Sequence, residues 1–353
     1  MKTLIVSMIL FISSAGVSLA APFVYVADSD DNKVLVVDAA TNTIVDTIPV
    51  GNEPIGTAVS SNGRFVYIVN LDDETLSVIN ALNNTVIDTV QVGGDAFGVA
   101  ANPNGQFVYV ANEADDSVTV ISTPDNNVVT TINNVCNQPI GLAVTPDGNF
   151  VYIGCAGDSN VAVIRTSDNT LFDSIPTSAS ATQGVAVSPD GQFVYFTGGT
   201  DLIIVRTSDN TEINAVPAGP GQEAVAVTPD GQFVYVTSGS GTVSVIRTSD
   251  NTVVTTILVD GAPFGIDITP DGQFAYVMTP GNGTVTVIRT AANTISDIFP
   301  AGFRPQSFGE FISPEEIVIA NPIPTLGEWG FLAMVIVLGI AGAVVYRRRL
   351  ASI

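Results

Sequence analysis

Ala224-Val225-Ala226-Val227-Thr228-Pro229-Asp230-Gly231-Gln232-Phe233-Val234-Tyr235-Val236-Thr237 contains two short β-branched runs joined by a Pro-Asp-Gly turn. Proline sets φ at about −65° and glycine accepts a positive φ, so these residues reverse the chain as a hairpin. Two more runs follow, Thr242 to Ile246 and Thr252 to Ile257. Between them Thr248-Ser249-Asp250-Asn251-Thr252 forms a turn, with Asn251 suited to the left-handed region. The stretch reads as four antiparallel strands, and no helical period competes with them.

The unit recurs. Tyr25, Tyr67, Tyr109, Tyr152, Tyr195, Tyr235 and Tyr276 mark its second strand at intervals of 42, 42, 43, 43, 40 and 41 residues. Equivalent turns stand at Asn62-Gly63, Pro103-Asn104-Gly105, Pro146-Asp147-Gly148, Pro189-Asp190-Gly191 and Pro270-Asp271-Gly272. Four strands in a repeat of about 42 residues describe a β-propeller blade. The first unit begins at its second strand, Phe23-Val24-Tyr25-Val26, and the last stops after a first strand around Ser307 to Ile312. That C-terminal strand therefore pairs with the N-terminal three and removes two open edges. The expected fold is all-β, a seven-bladed propeller with four strands per blade over residues 21–313.

Phe107-Val108-Tyr109-Val110-Ala111-Asn112, Ser117-Val118-Thr119-Val120-Ile121 and Thr47-Ile48-Pro49-Val50-Gly51 resemble the YVTN β-propeller repeats of bacterial and archaeal surface-layer and periplasmic proteins. The resemblance covers residues 23–313 and implies a fold rather than an activity. The family usually places Asp after the third strand, as at Asp38, whereas four blades have Arg165, Arg206, Arg247 and Arg289. Spread one per blade, these arginines do not converge on an anion. They are expected to face Asp168, Asp209 and Asp250 in the turns that follow.

The ends of the chain differ from the body. Residues 1–20 combine Lys2, an apolar run from Leu4 to Ile12 and the small residues of Ser18-Leu19-Ala20, the pattern of an export signal cut before Ala21. Trp329 to Tyr346 is uncharged for 18 residues, about 27 Å of helix, so a transmembrane helix is expected over 331–346. Arg347, Arg348 and Arg349 follow in a basic tail, 347–353, that stays cytoplasmic by the positive-inside rule. A linker is assigned to 314–322. Ile323, Pro324, Thr325, Leu326, Glu328, Trp329 and Gly330, within 323–330, resemble the IPTL-type C-terminal sorting signal of Gram-negative envelope proteins. That resemblance implies an exosortase-like membrane transpeptidase as partner, which removes the helix and passes the protein to the cell surface or outside. A plain stop-transfer anchor is the alternative.

Lys plus Arg number 11 against 34 Asp plus Glu, a net charge of −23. Such a surface repels phosphate backbones and anionic lipid, so no nucleic-acid partner is expected. There is no histidine. His-ligated zinc or haem, a Ser-His-Asp triad and a Cys-His pair are thereby excluded.

Carboxylates gather in the loops after the second strands of three successive units: Asp28, Asp30, Asp31; Asp72, Asp73, Glu74; Glu113, Asp115, Asp116. They read as a solvated acidic arc, with Ca²⁺ on Asp28, Asp30 and Asp31 as the alternative; otherwise no cofactor is expected. Glu53, Asp95, Gln138, Gln183, Glu223 and Arg304 precede first strands and are expected to ring one channel mouth. Cys136 and Cys155, the only cysteines, fall near one another across the turn at Pro146 and are expected to form a disulfide after export. The functional reading is a non-enzymatic binding or structural module for an envelope or extracellular ligand. Its alternative is a propeller enzyme of the lactonase or quinoprotein-dehydrogenase type, using the mouth carboxylates, with a metal on Glu53, Asp95 and Glu223 in the lactonase case.

Overall fold

The computed structural model describes residues 17–20, 22–314 and 316–319. Residues 21–315 form one unit; 1–20 with 316–353 form another. In the first unit, blades 2 to 7 are four-stranded antiparallel sheets spanning 54–91, 96–133, 139–176, 185–217, 222–258 and 266–300. Blade 1 consists of Phe23–Asp28, Lys33–Asp38 and Thr43–Pro49, with residues 305–312 along its inner edge. The ring of seven blades is present.

Burial explains the composition of each strand. Second and third strands are covered on both faces by neighbouring blades, so Phe233–Ser238 and Thr242–Arg247 are buried along most of their length. The outermost strand has only one neighbour, and Thr252–Leu258 is largely exposed and rich in threonine. Separate apolar layers lie between successive blades. The layer between blades 7 and 1 packs Tyr276, Met278, Val285 and Val287 against Val24, Val26, Leu35 and Val37, so no blade face is left open.

Polar clasps reinforce these layers. The seven hairpin asparagines, from Asn42 to Asn293, all take positive φ. Four accept a bond from the tyrosine of the preceding blade: Tyr109 to Asn169 at 2.9 Å, Tyr152 to Asn210 at 2.7 Å, Tyr235 to Asn293 at 2.5 Å and Tyr276 to Asn42 at 2.7 Å. The amides of Asn42, Asn84, Asn126 and Asn210 donate back to Asp297, Asp46, Asp88 and Asp173 in the outer strands of the preceding blades. The Asn42 clasps join the last blade to the first.

The closing segment differs from the expected regular strand. It meets blade 1 through bridges at Val24 with Ile312 and Asp28 with Pro305, and through Tyr25 N to Phe311 O at 2.9 Å and Gln306 N to Ala27 O at 2.9 Å. Side chains interrupt the ladder: the Ser307 and Ser313 hydroxyls accept the amides of Ala27 and Phe23, each at 2.8 Å.

One expectation about the ends changes. Val17–Ala20 pairs antiparallel with Glu316–Ile319, so part of the expected 314–322 linker is extended and paired, consistent with its β-branched Ile317-Val318-Ile319 run. Among the described residues no helix is long and apolar enough to cross a membrane. The expected helix 331–346, the sorting motif 323–330, the basic tail and most of the export signal lie outside the described residues.

Candidate functional site: the channel mouth

Each blade leads its chain to the centre through a loop and returns it through the loop after the second strand. The carboxylates of the return loops hold the approach loops in place. Asp73 accepts the Asn52 amide at 2.7 Å, Asp115 that of Gly94 at 2.8 Å and Asp158 that of Asn137 at 2.7 Å. Asp28, fully buried, accepts the amides of Phe303 and Arg304 at 3.1 and 3.0 Å. Asp116 reaches the next blade to accept the Gln138 amide at 2.9 Å. Asp28, Asp73, Asp115 and Asp116 of the acidic arc therefore fasten the mouth; Asp28 is buried, whereas Asp30, Asp31, Asp72, Asp73, Glu74 and Asp115 are exposed, as expected of a solvated arc.

This changes the reading of Asp28, Asp30 and Asp31. Lys33 Nζ pairs with both Asp28, at 3.4 Å, and Asp31. Asp30 lies outside that pair, 3.9 Å from Arg304. Among the described residues no group of three or more His, Cys, Asp or Glu side chains could hold a metal ion, so neither this trio nor Glu53, Asp95 and Glu223 is drawn together as a donor set.

Glu53, Asp95 and Gln138 occupy equivalent places, each at positive φ (49°, 48° and 55°) and each three residues before an inner-strand glycine. Gln183 and Glu223 lie two residues further in, level with Ile55, Phe97 and Ile140. The expected ring of six is thus two layers, because blades 5 and 6 carry Ala181 and Gly221 at the position of Glu53 and place their polar side chains two residues later. Arg304 closes the outer layer, 3.3 Å from Glu53. Burial, then the Asp72 charge, pushes the Glu53 carboxyl above its ordinary range, although Arg304 pulls it back. Glu113 is raised by burial and by Asp95, and Glu223 by burial. Around Glu53, Asp72, Asn32, Asn52 and Arg304 the mouth opens into a shallow pocket of about 290 Å³.

The channel is not continuously wet below the mouth. Phe97 of blade 3 meets Phe308 of blade 1 at 5.4 Å and Phe264, just before blade 7, at 6.3 Å, and Phe264 meets Phe308 at 5.6 Å. Blades 3 and 7 are not neighbours, so these rings touch across the axis and form an aromatic plug. Each belongs to a Phe-Gly pair: Phe97-Gly98, Phe264-Gly265 and Phe308-Gly309. The glycine is required by close approach, since a Cβ on Gly98 would sit 2.2 Å from the Ile140 carbonyl oxygen. Sequence reasoning missed the plug, although the repeated dipeptide was its signal. Beneath it lies a well of about 140 Å³ walled largely by alanine and valine, with Asp267 and Glu310 on its wall.

Away from the mouth, Arg165, Arg206 and Arg247 pair with Asp168, Asp209 and Asp250 at 2.5, 2.6 and 2.8 Å. Arg289, followed by Ala292 instead of Asp, lies over the Phe274 ring at 5.3 Å. Cys136 and Cys155 are joined in a disulfide with Cα atoms 6.0 Å apart, Cys155 standing opposite Pro139.

Comparison with known proteins agrees with this architecture. The cytochrome D1 heme domain family matches residues 20–139, and the IPTL-CTERM motif matches 321–349. Hydrazine synthase of Kuenenia stuttgartiensis is similar at 21% identity and a TM-score of 0.68, over 81% of this chain and 99% of that one. A functionally unknown protein from Desulfotomaculum acetoxidans is similar at 19% identity and a TM-score of 0.74, over 84% and 100%. Identities this low speak for the fold alone. No curated protein matches. The chain is therefore a β-propeller with an IPTL-type C-terminal sorting signal, which marks an exported protein of the envelope or surface.

Among the described residues no side chain is placed to hold a haem. Haem iron takes His, Cys thiolate, Met or Tyr ligands. This chain has no His, and its two Cys are bonded to each other. Met278 and the seven repeat tyrosines are buried in the layers between blades.

Proposed function

We propose that the protein is a non-enzymatic binding or structural propeller, exported by its N-terminal signal and delivered to the cell surface by its C-terminal tail. The IPTL-CTERM match at 321–349 carries this reading. In it, helix 331–346 holds the chain in the inner membrane with the propeller outside the cytoplasm, Arg347 to Arg349 stay inside, and an exosortase-like enzyme then removes the helix. Within the propeller, residues 305–312 run from the mouth toward the face bearing the Pro-Asp-Gly turns, which leaves the acidic mouth for an envelope or extracellular ligand. The engagement of Asp28, Asp73, Asp115, Asp116 and Asp158 with backbone amides supports a structural role for these groups rather than acid-base chemistry.

Metal analysis of the purified protein, with a lactone hydrolysis assay, tests this reading. The expected result is substoichiometric metal and hydrolysis at the uncatalysed rate. One bound metal per chain, with turnover lost in Glu53→Gln, would instead establish the enzymatic alternative.

A further inference from the structure

Two residues past the inner-strand glycine position, opposite the repeat tyrosine, blades 2 to 6 carry Ala58, Ala100, Ala143, Ala186 and Ala226. Blade 7 alone places a carboxylate there, Asp267 opposite Tyr276. A charge set among small apolar neighbours is costly unless donors meet it. Three backbone amides do so. Ile268 N donates to Oδ1 at 2.8 Å, and Phe311 N and Ile312 N both donate to Oδ2 at 2.9 Å.

The last two donors belong to the closing segment, immediately before the chain leaves the ring. That segment arrives from blade 7 through 301–304, so its near end is covalently held. On the side of blade 2 it is tied by backbone bonds, Phe308 N to Ile55 O, Thr57 N to Phe308 O and Val59 N to Glu310 O. On the side of blade 7 no backbone bond reaches it among the described residues, and the Asp267 side chain takes that place. Its far end, Phe311 to Ser313, is held on blade 1 by Tyr25 N to Phe311 O and Ser313 N to Phe23 O, which leaves the side facing blade 7 to be fastened by Asp267.

We propose that Asp267 is the latch of the ring, a side-chain acceptor that blade 7 extends to pin the outgoing end of the closing segment. A side-chain carboxyl suits the task, since one of its oxygens takes two successive amides of the closing segment while the other takes the amide of Ile268. Neighbouring Glu310 faces the same well and its charge acts on Asp267, but its carboxyl accepts none of these amides, so its replacement separates the hydrogen bonds from the charge.

Hydrogen exchange across the mature protein decides the matter, comparing Asp267→Ala, Asp267→Asn and Glu310→Gln. The expected result is exchange at least tenfold faster in peptides covering 305–313 of Asp267→Ala, a smaller local increase in Asp267→Asn, and no change there in Glu310→Gln. If Asp267→Ala does not fold, Asp267→Asn carries the same comparison. Unchanged exchange at 305–313, acceleration spread evenly over all blades, or an equal effect of Glu310→Gln would overturn the latch.

Discussion

Asn210 shows how much of this fold rests on single polar side chains in special backbone positions. It sits at φ 52°, accepts the Tyr152 hydroxyl and donates to Asp173, so it fixes one hairpin and ties two blades together. Asn210→Ala is expected to cost about 1–3 kcal/mol, from two lost hydrogen bonds and an unfavourable left-handed alanine. Asn210→Gly, which relieves the backbone term, should lose less. Urea unfolding of both variants checks the order, and equal losses would show that the hydrogen bonds act alone. The left-handed turn was legible in the Ser-Asp-Asn-Thr string, but the tyrosine partner was not. That bond spans 58 residues and two blades, and no local pattern announces it. The fastening role of the acidic loops was hidden for the same reason, since Asp73 and Asp115 are solvated as expected and the amides of Asn52 and Gly94 that they accept lie 21 residues away in the chain. Asp267 was more accessible, because aligning the repeats sets one aspartate against five alanines.

At the scale of elements, strand number and order followed from turn chemistry and period, because a Pro-Asp-Gly turn about every 42 residues leaves little freedom. What the period could not give was the state of the closing segment, where hydroxyls of Ser307 and Ser313 and the Asp267 carboxylate replace part of a regular ladder. The expected consequence is a sharp boundary in deletion tolerance. Removing 307–313 from the exported chain exposes the edge of Phe23–Asp28 and withdraws Phe308 from the plug, whereas removing 314–320 spares the ring. The thermal midpoint should fall by many degrees in the first variant and stay within a few degrees of wild type in the second. Equal falls would contradict closure by this segment. The Cys136–Cys155 bond acts on an element of similar size; constraining a loop of about 20 residues contributes on the order of 3 kcal/mol.

For the whole molecule, charge sets the conditions of stability. The net charge of −23 repels itself more as pH rises. Several carboxyls act in the same direction. Glu53, Glu113 and Glu223 are raised by burial, Glu310 by desolvation deep in the ring although its surface stays open to the well, and Asp267 is pushed up to about 8 by burial deep in the ring and then by Glu310. A carboxyl raised in the folded state binds more protons there than in the unfolded chain. Its favourable contribution is therefore complete below the ordinary carboxylate range and is lost as pH climbs through its folded value. Asp168 and Asp209, lowered by the neighbouring arginines and then by their own turns, and Asp250, lowered by Thr252 of its turn and then by Arg247, do the reverse and lose their contribution only in strong acid. Stability is expected to peak in mild acid and to decline from about pH 5 to pH 8, a decline that Asp267→Asn should flatten. A thermal midpoint that rises over that interval would contradict this balance.

The same molecule must also reach its destination, and its sequence is most specific on that point. In the sequence, Pro322 and Pro324 precede the apolar run, and proline disfavours helix, which suits a transpeptidase that acts on extended backbone, whereas a simple anchor requires only apolar length and Arg347 to Arg349. The intact mass of the protein taken from its native envelope separates the two directly. A propeller delivered by its sorting tail should begin at Ala21 and end near Pro324 or Thr325, with a full-length membrane form accumulating when those two residues are replaced. A mass that retains the chain through Ile353 in all of the material would contradict delivery by the tail.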